Sequence, residues 1–99
     1  MKTEKFAILV RLEAKPGKEQ EVSDFLKSAL PLAKEEEGTL KWYALQLSPS
    51  TFGIFDTFET SEERQSHLEG KIATSLMANV PELLAKGPSI ELIDLIAVK

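Results

Sequence analysis

Ninety-nine residues, 42% hydrophobic and 28% charged, suit one globular domain, and 12 Lys and Arg against 16 Asp and Glu leave a net charge of −4. That acidic balance argues against nucleic acid or an anionic membrane as partner, since either needs a basic face. The absence of cysteine excludes disulfides, thiolate chemistry and cysteine metal sites, and a single histidine excludes a multi-histidine metal centre within one subunit.

Phe6 to Glu13 alternates as a strand, with Phe6, Ile8, Val10 and Leu12 on one face. Its apolar run ends at Arg11, too short for a membrane span or a signal peptide, so a cytoplasmic protein is expected. Pro16 and Gly17 stop the strand. A first helix is predicted from about Lys18 to Lys34, because Val22, Phe25, Leu26, Ala29, Leu30 and Ala33 form one stripe. Pro31 should loosen its last turn by removing the hydrogen bond back to Lys27. Glu35, Glu36 and Glu37 read as a solvated corner, with a cation site as the alternative.

The stretch from Thr39 to Glu59 holds five of the seven aromatic residues and organises the chain. It reads as a hairpin whose turn is Ser48 to Thr51. Leu40, Trp42 and Ala44 share one face of its first strand, and Tyr43, Leu45 and Leu47 the other. In its second strand Ile54, Asp56 and Phe58 form a row in which Asp56 is the odd member. Thr60 to Glu63 fits a capping box opening a second helix. Gly70 should break that helix, and Ile72, Leu76, Met77 and Val80 resume an apolar stripe. Pro81 is expected to open a separate short turn, and Ile90 to Val98 a last strand.

This β-α-β-β-α-β order predicts an α+β, ferredoxin-like domain over residues 1–99, a four-stranded antiparallel sheet with its helices on one face. A sheet wet on one side should alternate apolar and polar residues, yet the second and fourth strands are apolar on both sides. A second copy of the chain would cover the open face, so a homodimer with two sheets face to face is expected.

Several segments resemble the antibiotic biosynthesis monooxygenase (ABM) family of dimeric α/β barrels. They are Lys15-Pro16-Gly17-Lys18 after the first strand, Glu36-Glu37-Gly38 with Leu40 and Trp42 leading into the second, Phe55-Asp56-Thr57-Phe58-Glu59 in the third, and His67-Leu68 in the second helix. The resemblance spans nearly the whole chain and implies a dimeric α/β barrel. It also implies cofactor-independent oxygenation of a quinol or other small hydroxylated aromatic, in a pocket between sheet and helices. Haem degradation is not implied: Val10 stands where such members carry Asn, His67 where they carry Trp, and no further His follows. A second His that many members carry near position 72 is also absent.

His67 is the candidate catalytic residue, because imidazole alone titrates near neutrality and a general base could take a phenol proton. It could equally be a structural helix histidine. Asp56, if buried, requires a partner, for which Arg64 is the candidate. Trp42, Asp56, Phe58 and Arg64 are the candidate substrate-binding wall, each with a purely structural alternative in core packing or a salt bridge. No metal or other cofactor is expected. Two main functions stay open: a small dimeric monooxygenase using O2, and a non-catalytic ligand-binding or structural dimer module. An isomerase or decarboxylase using His67 is a third.

Overall fold

The computed structural model describes residues 2–99. Its elements are β1 (Phe6–Glu13), α1 (Glu19–Glu35), β2 (Thr39–Gln46), β3 (Thr51–Phe58), α2 (Ser61–Leu68), α3 (Lys71–Leu83) and β4 (Ser89–Asp94). The strands form one antiparallel sheet in the order β2-β3-β1-β4. This is the expected ferredoxin-like α+β arrangement, with the second helical segment divided into α2 and α3. The register places Ile8 against Asp56, Val10 against Ile54 and Trp42 against Asp56.

One face of the sheet carries the core. Ile8, Val10 and Leu12 of β1 meet Phe52, Ile54 and Phe58 of β3, and Val22, Leu26, Leu76 and Leu83 close over them from the helices. Phe58, Ile8, Leu12 and Val22 are fully buried. Each such side chain contributes about 1.5–3 kcal/mol through removal from water. A smaller cluster of Ala29, Ala33 and Ile72 joins α1 to α3, and Trp42 packs against both clusters.

Among the described residues nothing covers the opposite face. Leu9, Phe55 and Tyr43 form one row across it, and Tyr43 stays half exposed. β4 is largely exposed on both faces, including Ile90 and Leu92 on the helix side. It is also shorter than expected. β1 begins at Phe6, opposite Asp94, so residues beyond Asp94 have no strand to pair with. Leu95 donates its amide to Lys5, and Ile96 is fully exposed.

Both internal prolines lie inside continuous helices. Pro31 does not shorten α1, and Pro81 belongs to α3 rather than starting a new turn. The carbonyls that lose a partner belong to Lys27 and Met77, both exposed, where water can take the place of the missing donor. Gly70 does break the helix, as the N-cap of α3. Thr60 caps α2 by accepting from the Glu63 amide at 3.1 Å. The Glu63 side chain accepts from Thr60 Oγ1 instead of reaching back to the Thr60 amide. Among the described residues no helix is long and apolar enough to cross a membrane.

Candidate functional site

Three elements converge on His67. It lies in the last turn of α2, where the helix aims its ring at the core face of β3. Its Nε2 stands 2.9 Å from Asp56 Oδ2. Its Nδ1 stands 2.6 Å from Oε1 of Glu36, the residue that terminates α1. Thr39, at the start of β2, donates its hydroxyl to the same Glu36 oxygen at 2.8 Å. The Phe58 ring lies 5.4 Å from the imidazole. The loop between α1 and β2 can press against α2 because Gly38 has no side chain: a Cβ there would meet Glu63 Oε2 at 3.0 Å.

Asp56 is wholly buried. Among the described residues Oδ1 has no hydrogen-bond partner, and the close approach of His67 to Oδ2 is poorly aligned for a hydrogen bond. An ionised carboxylate in such a place is costly without a paired charge. Burial accordingly raises its pKa above the ordinary 3.8, against the opposing pull of His67. For His67, burial acts to lower the pKa. Asp56 and then Glu36, by hydrogen bonding and charge, outweigh it and hold the ring above 6.5. With both carboxylates ionised, the ring between them would carry a proton on each nitrogen; with Asp56 protonated, Nε2 would face its O–H instead.

A pocket of about 560 Å³ opens beside this cluster. It lies where the end of α1, the start of β2 and the α2–α3 break meet. Glu36, Thr39, Glu63, His67, Gly70 and Lys71 are among its lining residues. The expected catalytic residue is therefore at the pocket and the expected substrate-binding wall is not. His67 borders it, whereas Trp42, Asp56, Phe58 and Arg64 do not line it.

Trp42 lies directly opposite Asp56 in the β2–β3 register, with its indole N–H buried and unpartnered. Phe58 is core. Arg64 is not the partner of Asp56. Its guanidinium donates to the Ile93 carbonyl at 3.0 Å, stacks over Phe6 at 5.1 Å and approaches Asp94 at 3.8 Å, fastening α2 to the β1–β4 side of the sheet. Although the two lie one helical turn apart, Arg64 reaches β4 while His67 reaches β3. Among the described residues no cluster of His, Asp and Glu suits a metal ion.

Glu36 is the site member that patterning passed over. In the sequence it looks like the middle of a solvated acidic run. The one signal for it was the Glu-x-Gly resemblance, Glu36-Glu37-Gly38, at the approach to β2.

Neither a family model nor a curated protein matches this sequence. Among solved structures, NE2512 from Nitrosomonas europaea, a protein of unknown function, is 55% identical with a TM-score of 0.95. The match covers 97% of this chain and 93% of that one. The chain belongs to the NE2512 family. Its fold is that of the antibiotic biosynthesis monooxygenases. A candidate monooxygenase of that kind from Nitrosomonas europaea matches with TM-score 0.82 at 14% identity, over 97% of this chain and 94% of that one. Another from Caulobacter crescentus matches with TM-score 0.80 at 15% identity, over 95% and 92%. Within this ABM fold, the Glu36–His67–Asp56 cluster joins the ends of three elements beside the pocket.

Proposed function

We propose that this NE2512-family protein is a cofactor-independent oxygenase of a small hydroxylated aromatic or quinol. The observation that carries the reading is the Glu36–His67–Asp56 chain bordering a pocket of about 560 Å³, a volume that suits a small-molecule ligand. The likeness in fold to candidate antibiotic biosynthesis monooxygenases supports the same chemistry. In the proposed reaction a substrate hydroxyl gives its proton to the site while the electron-rich ring gives one electron to O2. The ring radical and superoxide combine, the peroxide recovers the proton, and water leaves. One oxygen atom ends in a new ring carbonyl and the other in water, so a ring C–H carbon becomes C=O, the phenol becomes a quinone, and O2 is the only oxidant.

In this reading Asp56, Trp42 and Phe58 back His67 from the core, and Arg64 holds the helix that presents it. Two copies would pair through the open sheet face, in the manner of a dimeric α/β barrel. The alternative is a binding module on the same scaffold. The engagement of both His67 ring nitrogens favours it, because an imidazole with no free lone pair is not itself a ready base.

Oxygen uptake with a panel of hydroquinones and polyphenols separates the two. Saturable uptake that falls at least about tenfold in a folded His67→Gln variant supports the oxygenase, given the usual share of acid–base catalysis. Saturable binding without uptake supports the module.

A further inference from the structure

We infer that Glu36, through its Oε2, is the group that meets the hydroxyl of a pocket ligand, and that His67 is a positioning residue behind it. The inference rests on the reading of the pocket as a site for a hydroxylated aromatic. His67 is closed on both sides, with Nδ1 against Glu36 and Nε2 against Asp56. The groups that face it are Asp56 from β3, Glu36 from the end of α1, Thr39 from β2 and the Phe58 ring, and none of these is a cation. If Asp56 rather than the ring holds the shared proton, Nε2 accepts from Asp56 and still has nothing left for a ligand.

Glu36 is differently placed. Its Oε1 is occupied by His67 and by the Thr39 hydroxyl. Its Oε2 has no such partner among the described residues and lies over Gly70, where the break between α2 and α3 leaves the backbone bare. A Cβ at Gly70 would stand 3.3 Å from that oxygen. Glu36 and Gly70 both line the pocket, and Asp56 does not. Glu36 is thus the one carboxylate that touches both the imidazole and the cavity. Contacts of Oε1 with His67 and Thr39 hold the carboxylate and leave Oε2 beside Gly70 at the pocket.

A carboxylate is also a sufficient acceptor for the proposed step. A phenol that loses an electron to O2 becomes strongly acidic. Its O–H bond then breaks toward Glu36 Oε2, where the new O–H bond forms, and the proton returns to the peroxide afterwards.

The test uses hydroquinone as probe, in argon-purged buffer so that no turnover occurs. Isotope-edited NMR follows the Glu36 side-chain carboxyl carbon and the His67 ring nitrogens during titration. The expected result is a saturable shift of the Glu36 carboxyl with no change in the protonation of either His67 nitrogen. In Glu36→Gln the hydroquinone affinity should fall roughly 10- to 100-fold, the usual worth of a hydrogen bond to a charged group. Gly70→Ala is the second variant. It removes no side chain of the cluster, places a methyl group 3.3 Å from both Oε2 and the His67 carbonyl oxygen, and should also weaken binding, with the His67 ring nitrogen shifts of the free variant checking that the ring stays in place. A His67 nitrogen that changes protonation on binding, an unmoved Glu36 carboxyl, or wild-type affinity in both variants overturns the inference. Oxygen uptake judges the oxygenase reading separately: binding at Glu36 without uptake keeps the inference and removes the oxygenase.

Discussion

His67 reaches Asp56 at 2.9 Å across the gap between α2 and β3, and the pair leaves almost no surface exposed on either side chain. Neither charge is stable there alone. His67→Leu should therefore destabilise the fold by about 3–5 kcal/mol, the usual penalty for stranding one member of a buried ion pair. The double variant His67→Leu with Asp56→Leu should recover most of that loss, because no charge is then buried without a partner. Urea denaturation of the three chains measures both steps. A double variant as unstable as the single one would show that the site stabilises through shape rather than charge.

The same pair predicts a pH dependence. Burial raises Asp56 above 3.8, and for His67 the two carboxylates overcome burial and hold it above 6.5. Each group keeps its proton more tightly folded than unfolded, so the folded state binds more protons and stability falls as pH rises. The His67 contribution is complete below pH 6.5 and is lost as pH passes its raised folded value. The Asp56 contribution has the same sign and begins to be lost above 3.8. The urea midpoint should decline as pH rises above about 6.5, where an unperturbed histidine titrates. In His67→Gln that decline should flatten. A wild-type midpoint that rises over this range contradicts the assignment.

Much of this architecture is legible in the chain, and its gaps have physical causes. Period-two alternation in Phe6 to Glu13 and in the hairpin is set by local covalent geometry, so the strands and the faces of Trp42, Asp56 and Phe58 follow from sequence alone. Gly70 marks the α2–α3 break for the same local reason. The end of β4 does not follow, because it depends on where β1 begins rather than on the apolar residues of β4. The prolines mislead because the cost of each depends on whether the freed carbonyl meets water. For the site, His67 and Asp56 stand out by type, whereas their partnership is a tertiary fact. Arg64 and His67 are three positions apart on one helix, and only the docking of α2 decides which of them reaches β3.

Gly53 illustrates a constraint that composition cannot show. It lies in β3 opposite Arg11, and a Cβ there would come within 2.9 Å of the Val10 carbonyl oxygen, a backbone atom that cannot move aside alone. Gly53→Ala should force β1 and β3 apart locally and cost about 1–3 kcal/mol, comparable to overpacking a core. Gly87→Ala is the control, since nothing lies within 4 Å of the added methyl group. Thermal melts should show a clear loss for the first and little change for the second. Equal melts would mean that the β1–β3 pair relaxes freely at this point.

The uncovered sheet face leads to the last prediction. Tyr43, Phe55 and Leu9 sit side by side across β2, β3 and β1 on the side away from the helices, and Tyr43 is half exposed. An apolar surface of this extent, on a chain short enough to bury only about two thirds of its unfolded surface, favours association. A two-fold pairing would set the Tyr43–Phe55–Leu9 row of one protomer against that of its partner. Sedimentation at micromolar concentration should give twice the 11.0 kDa chain mass. Phe55→Lys places a charge at the centre of the row without entering the helix-side core. It should shift the protein to a monomer with a lower, concentration-independent melting temperature, because the partner's contribution to stability is lost. A wild-type monomer at that concentration rules out the face-to-face pairing, and a Phe55→Lys variant that remains dimeric places the contact on another surface.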